Sequence, residues 1–279
     1  MTIRSVLWNR MKLKSKKTDR IWKSNPVRKR IATTRSLCRV SKCQPLPSHG
    51  LVDQQPSSSI LTGGRFIWRG PKSGESLDTF LQNNRPTQLS TRDCEWIQIR
   101  NENPASPGYK DDSSLAPGLY MNNAPYHAAL SKLEGIIAVN GRVKSSDKQA
   151  CVQEILQTAV SRGETDGKWM LFMNRENVDD AWDKIARATA AGKLGSSAKV
   201  APSKDMDDKG RALICIYVSD FSDKKEVKRV LNGIIALQFF VASGFKPDIF
   251  TTLEINSGNK WRLDPVIYKP KDVLDNWDV

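Results

Sequence analysis

Basic side chains that flank predicted strands are the residues of this sequence best suited to bind a ligand. Lys199 lies within a short predicted strand, and Trp261 has a basic residue on either side. Ammonium and guanidinium groups contact phosphate oxygens, and an indole ring can stack on a nucleic-acid base. The candidate ligand-binding residues are Lys199, Lys204, Lys209, Arg211, Lys246, Lys260 and Trp261.

Whether these side chains converge decides between two interpretations. If Lys199, Lys246 and Lys260 face one concave pocket, the sequence predicts a site for phosphate or nucleic acid. If they scatter, they are solvated charges at the rim of the domain. Trp261 has its own alternative, since a large aromatic beside charged residues is also typical of the edge of a core.

Other catalytic chemistry has few residues to carry it. Neither G-x-x-x-x-G-K-[ST] nor G-x-G-x-x-G follows a predicted strand, and the chain has two histidines, His49 and His127. The five cysteines are odd in number and mostly scattered, which favours a reducing compartment over a disulfide framework or zinc site. Cys215 lies in an apolar run and is expected to be a buried thiol. We therefore expect no catalytic residue, no metal and no cofactor.

Almost all of the net charge lies in a leader. Residues 1–45 contain 14 Lys and Arg and one acid, Asp19, so they carry +13 of the chain's +14. Three interpretations remain open: a mitochondrial presequence, a nuclear signal or nucleic-acid arm centred on Val27–Arg30, and a solvated tail. The rest of the chain is nearly neutral, so its surface supplies little non-specific attraction for nucleic acid.

Composition also divides the chain. Prolines, a run of three serines and Gly63-Gly64 mark residues 45–75 as a linker. We predict a basic, mostly disordered leader and linker over residues 1–75, and a single domain over residues 76–279. No apolar run approaches the roughly 18 residues of a membrane span, so we expect no membrane association.

Hydrophobic periodicity predicts three long helices in the domain. The first covers 147–162, with Ser146 and Gln149 as a capping box, and the second begins after Asn174. The third opens at Asp223 and closes at Gly244. A long irregular loop is expected over residues 101–125 because of its many prolines and glycines.

Short apolar runs between these helices predict at least six strands. Trp96, Trp169 and Trp182 lie on apolar faces and are assigned to the core. The fold class is α+β, a curved, largely antiparallel sheet with about three helices packed on one face. The predicted strands are 95–99, Lys168–Met173, Ser197–Ala201, Ala212–Val218, Ile249–Ile255 and Pro265–Tyr268.

Several motifs in register resemble the basophilic leukemia expressed protein family. The resemblance covers roughly residues 90–270, and its motifs are Gly167–Phe172, Gly192–Val200, Ile214–Tyr217, Lys246–Asp248 and Ser257–Trp261. That family is similar in fold to the translation initiation factor that binds the messenger-RNA cap, so the resemblance implies a curved antiparallel sheet backed by helices. In that factor's cap site, basic residues bind the phosphates, and the resemblance implies counterparts of these residues here around Lys199 and Lys204.

Three functions follow from these observations. The first is a non-enzymatic module that binds RNA or another phosphate-bearing ligand. The second, implied by the resemblance, is an enzyme acting on phosphorylated groups, similar to a phosphothreonine lyase, with Lys199 as its base. The third is a scaffold for a protein partner with no ligand site. We expect an intracellular protein, cytoplasmic or nuclear, with mitochondrial targeting by the leader as an alternative.

Overall fold

One six-stranded sheet forms the centre of the structure, a computed structural model that describes residues 64–101, 103, 105–106, 109, 123–207, 210–239 and 243–279. The strand order is β1-β2-β4-β5-β3-β6, and every neighbouring pair is antiparallel except β1–β2. The predicted α+β class with a largely antiparallel sheet is confirmed. The strands are β1 (Arg65–Trp68), β2 (Trp96–Arg100), β3 (Gly167–Asn174), β4 (Ser197–Val200), β5 (Arg211–Val218) and β6 (Gly244–Pro247).

Seven α-helices accompany the sheet in the described ranges, so the expected number of about three is wrong. Four were not predicted, and three of these have seven residues or fewer, too short to display a helical period. No helix in these ranges is both long and apolar enough to cross a membrane. The helices are α1 (Leu77–Asn83), α2 (Ala124–Asn140), α3 (Ser145–Ser161), α4 (Arg175–Ala190), α5 (Lys224–Ala236), α6 (Asp248–Thr252) and α7 (Pro270–Asn276).

Alternation along the strands gives the sheet two different faces. On one face, Ile97, Trp169 and Ile216 are fully buried in the hydrophobic core. Helix α4 adds its apolar stripe to the same core, and the Trp169 indole donates to the carbonyl of Val227 in α5, 3.1 Å away. The core assignment of Trp169 and Trp182 is therefore correct, and the helices α4 and α5 cover this face.

The opposite face, here called the lysine face, carries a different set of side chains. It is formed by the residues that alternate with the core residues along each strand, and the register of the sheet places them side by side. These residues are Trp96 and Gln98 in β2, Ser197 and Lys199 in β4, Cys215 and Tyr217 in β5, Lys168 and Met170 in β3, and Lys246 in β6.

Two of the three predicted helix starts are correct, those of α4 and α5. Asn174 occupies the position before α4, and the Asp223 carboxylate accepts from the backbone N–H of Glu226 as the predicted cap of α5. The capping box at Ser146 is wrong, because α3 begins at Ser145 and the residue before it is Lys144. Helix α5 ends at Ala236 rather than near Gly244, because Gln238 takes a left-handed conformation with φ of 65°.

Two predicted strands are not strands. Residues 249–255 lie mainly in α6, which starts directly after Pro247 with an acid in its first turn, a favourable arrangement for a helix start. The segment 265–268 contributes one isolated bridge, between Phe245 and Tyr268. An apolar run of this length does not by itself distinguish a strand from a short helix.

The predicted linker contains a strand, and a helix that was not predicted begins at the end of the predicted loop, most of which lies outside the described residues. Strand β1 pairs with β2 in the parallel direction, so the sheet begins before residue 76, inside the predicted linker. Helix α2 follows the proline-rich segment; it buries Tyr126, Leu130 and Leu133 but leaves Val139 exposed, so its apolar residues make no clean stripe. The leader, 1–45, lies outside the described residues.

Candidate phosphate-binding site

Three lysines and two aromatic rings lie together on the lysine face. Lys246 of β6 is directly opposite Lys168 of β3, and Lys168 is directly opposite Tyr217 of β5. Lys199 of β4 pairs with Cys215, which lies two residues before Tyr217 in β5. Adjacent strands lie about 4.8 Å apart, so these side chains are close neighbours across the sheet.

Lys199 is held against aromatic rings. Its ammonium nitrogen lies 4.0 Å from the ring centroid of Trp96 and 5.6 Å from that of Tyr217. Both distances are within the range of a cation–π attraction. Burial nevertheless lowers the pKa of Lys199 below its ordinary value, because the surroundings solvate the ammonium less well than water does.

Lys168 is only 6% exposed and has two polar partners. Its ammonium forms an ion pair with Asp248 at the start of α6 and donates to the Thr251 hydroxyl, 3.1 Å away. It also lies 5.4 Å from the centroid of the Tyr217 ring. Helix α6 is therefore tied to one end of the lysine face.

Lys246 is equally buried, at 6% exposure, but its hydrogen-bond partner is neutral. Its ammonium donates to the Asn256 side-chain oxygen at 2.6 Å. Burial, and then the positive charge of Lys168, lower the pKa of Lys246 to about 8. The nearby Asp248 acts in the opposite direction but is already paired with Lys168.

The face has more positive than negative charge in a poorly hydrated setting. Among the described residues, one of its three lysines is paired with a carboxylate, Lys168 with Asp248. Burial raises the pKa of Cys215 to about 11 and that of Tyr217 well above its ordinary value, so both are neutral at physiological pH. Cys215 is thus the buried, unreactive thiol that was expected. Buried charge without a counter-charge is costly, and an anion bound here would reduce that cost.

The seven predicted site residues do not form one cluster. Lys199 and Lys246 share the lysine face, and Arg211 belongs to it by parity, at the opposite end of β5 from Tyr217. Lys204 is exposed beyond the end of β4. Lys209 lies outside the described residues.

Lys260 and Trp261 belong to a different contact, with Glu134 of α2. The Lys260 ammonium lies 2.7 Å from a carboxylate oxygen of Glu134, and the Trp261 indole donates to the same oxygen at 2.9 Å. Trp261 is 8% exposed and packs in the core. Of the two interpretations of Trp261, its burial favours the edge of the core over a stacking platform for a ligand.

The assignment of Trp96 to the core is wrong. Trp96 is half-buried on the lysine face, not in the core, and its indole donates to Glu95. The signal was present, because Trp96 shares its parity with Gln98, whereas Ile97 and Ile99 have the other parity. Lys168 and Tyr217 carried no such signal, since apolar residues flank both of them.

The cavities of the structure include two that border α4 rather than the lysine face. Their volumes are about 220 and 400 Å³, and Asp179 lines both of them. Asp180 and Asp183 line the smaller cavity and Glu176 the larger. Arginines line them as well, Arg85 and Arg187 in the smaller and Arg175 in the larger, but carboxylates outnumber arginines in both, which disfavours a phosphate there. Over the described ranges, no three His, Cys, Asp or Glu side chains are grouped to hold a metal ion.

A family model matches most of the chain. The family is described as basophilic leukemia-expressed protein Bles03, and the match runs over residues 11–254. It starts within the basic leader, well before the segment that carried the resemblance, and it contains the whole lysine face. Because the match covers far more than half of the sequence, the chain belongs to the Bles03 family.

Proposed function

We propose that the lysine face is a non-enzymatic binding site for a phosphate-bearing ligand, RNA or a nucleotide. The observation that carries the proposal is a group of three lysines on one face: Lys168 and Lys199 lie over the Tyr217 ring, and Lys246 is directly opposite Lys168. Among the described residues, only Lys168 of the three is paired with a carboxylate, that of Asp248. Lys199 and Lys246, which lack a carboxylate partner in the described contacts, are the two that would contact phosphate oxygens.

The aromatic rings on this face give the site a second kind of contact. Trp96 and Tyr217 are both partly exposed. A nucleobase could stack on either ring, a contact worth about 1–3 kcal/mol per base. A sandwich between two tryptophans is not part of the proposal, because Trp169 and Trp182 are both buried in the core.

We also infer the fold family of the protein and the cellular compartment in which it is found. The six-stranded, largely antiparallel sheet with α4 and α5 on one face is compatible with the fold of the cap-binding initiation factor, and we infer that fold for this chain. Buried free thiols at Cys94, Cys151 and Cys215 suit the reducing interior of a cell, where RNA and nucleotides are abundant. We place the protein there.

Titration with ADP and with a single-stranded RNA oligonucleotide tests the proposal. The full chain is compared with a Lys199→Met/Lys246→Met variant at physiological salt, by isothermal calorimetry. Losing two charge-assisted contacts should weaken ADP binding by tenfold or more, on the order of 1.5 kcal/mol or above. The short ligand limits the contribution of the basic leader, which acts through many phosphates at once.

A matched variant controls for charge. Lys184→Met/Lys271→Met also removes two lysines, each exposed and placed four residues from an aspartate on its own helix. Its ADP affinity should stay within twofold of the unmodified chain. Equal affinities in both double variants, or no ADP and no RNA binding at millimolar concentration, would contradict the proposal and favour a scaffold for a protein partner.

A further inference from the structure

Two lysines lie opposite each other at the edge of the lysine face, and their surroundings differ. Lys168 and Lys246 are directly paired across β3 and β6, where opposite Cβ atoms are about 5 Å apart. Lys168 has a carboxylate, Asp248, and a hydroxyl, Thr251, as partners. Lys246 has the amide oxygen of Asn256.

This difference determines which of the two amines loses its proton. A second ammonium beside a paired one is repelled by it, and burial removes the water that would otherwise stabilise the charge. The groups facing Lys246 are Lys168 of β3, Asp248 of α6 and Cys215 of β5, of which the carboxylate is already paired and the thiol is neutral. With its pKa near 8, about a tenth of the Lys246 side chains are uncharged at pH 7, against fewer than about one in a thousand for an ordinary lysine.

The buried Lys246 amine is hydrogen-bonded to an exposed side chain. Its partner Asn256 is exposed, and so is Thr251, which contacts the neighbouring Lys168. Rotation of the Asn256 side chain would open the amine to a small molecule without a change in the sheet. An uncharged lysine beside another cation is the usual arrangement of a nucleophilic lysine.

We propose that Lys246 is a reactive amine that forms an imine with small phosphorylated aldehydes. The aldehyde chemistry depends only on Lys246 and its neighbours, whereas the preference for a phosphate rests on the proposed function of the lysine face. In the reaction, the amine nitrogen attacks the carbonyl carbon and a carbon–nitrogen double bond replaces the carbon–oxygen bond. The carbonyl oxygen leaves as water with the two hydrogens of the amine.

Borohydride trapping of the full chain with pyridoxal 5′-phosphate tests this proposal. Borohydride delivers a hydride to the imine carbon and leaves a stable secondary amine, which peptide mass spectrometry assigns to a residue. We expect Lys246 to be labelled at least tenfold faster than Lys269, an exposed lysine. The labelling rate should rise with pH and level off above about pH 8, whereas that of Lys269 should still be rising.

Variants of Lys246 and of its neighbour Asn256 distinguish a loss of the amine from a loss of the fold. Lys246→Met keeps the aliphatic stem and Lys246→Arg keeps the charge, and neither can form an imine, so both should lose the fast labelling. Asn256→Ala leaves the amine in place and should keep the fast labelling or increase it. Labelling of Lys246 no faster than that of Lys269 overturns the proposal, as does fast labelling that remains in both Lys246 variants.

The same experiment separates this proposal from the proposed function. Pyridoxal without its phosphate should label Lys246 more slowly than pyridoxal 5′-phosphate does. Equal rates for the two aldehydes support the reactive amine and contradict phosphate binding beside it. ADP binding that depends on Lys199, together with slow labelling of Lys246, supports the proposed function and overturns the reactive amine.

Discussion

Lys199–Trp96 and Lys260–Trp261 are two pairs of a lysine and a tryptophan with opposite environments. In the first pair the ammonium lies 4.0 Å from the ring centroid, and in the second 4.8 Å. Lys260 is exposed and bonded to Glu134, while Lys199 is half-buried and has no carboxylate contact within the described part of the chain. Whether the ammonium of a cation–aromatic pair is available to a ligand therefore depends on whether the fold brings a carboxylate to it.

The two tryptophans should differ most in their contribution to stability. Trp261→Ala removes a buried ring and an indole hydrogen bond, and should lower the free energy of unfolding by about 3 kcal/mol or more. Trp96→Ala removes a ring from the lysine face and should cost about 1 kcal/mol, since much of that ring is already hydrated. Urea unfolding followed by circular dichroism measures both values. Equal losses would mean that Trp96 is as buried as Trp261.

Asp248, which pairs with Lys168 on the lysine face, and Glu134, which pairs with Lys260, should also differ in their contribution to stability. Asp248→Asn leaves the buried ammonium of Lys168 without a counter-charge, and should destabilise the fold by about 3 kcal/mol. Glu134→Gln removes the charge of an exposed pair but keeps an oxygen for the Trp261 indole, and should cost less than about 1 kcal/mol. The same urea titrations decide this comparison. A larger loss for Glu134→Gln would show that the Lys260 contact is the more stabilising one.

The sequence was informative where one side chain alone determines a local structure. Asp223 caps α5 because its carboxylate needs only the next turn of backbone, and the alternation in β2 reports which side of a strand is buried. Lys199 and Lys246 were recognised as candidates because they are basic residues next to strands. Their presence on one face depends on the strand order, which places β3 and β5 between them.

Other parts of the site depend on contacts between residues far apart in the chain. Asp248 neutralises Lys168 across 80 residues, and Glu134 bonds Trp261 across 127. Neither partner can be chosen from composition or spacing, since the chain has 30 acids to choose from. Helix α6 was missed for a related reason, because the apolar run 249–255 suits a strand and a short helix equally well.

Lys246 should also make stability depend on pH. Its pKa is about 8 in the folded protein and higher in the unfolded chain, so the unfolded chain binds more protons between these two values. The free energy of unfolding should therefore rise with pH from about 8 towards 10, at a slope of up to about 1.4 kcal/mol per unit from this residue. Lys246→Met should remove that contribution, which the difference between the two proteins isolates from other titrating groups. Parallel stability curves over this range would mean that Lys246 keeps an ordinary pKa.

Single substitutions of Lys199 and Lys260 should separate the roles of these two lysines in binding ADP. Lys199→Met removes an ammonium from the lysine face, and should weaken ADP binding by about tenfold, or 1.4 kcal/mol. Lys260→Met removes an ammonium that is already paired with Glu134, and should change ADP affinity by less than twofold. Calorimetry at two salt concentrations measures the difference, and both variants carry the same net charge, so screening of the leader affects them equally. If Lys260→Met weakened binding as much as Lys199→Met, the attraction would come from total charge, and the grouping of lysines on the sheet would have no special role in binding ADP.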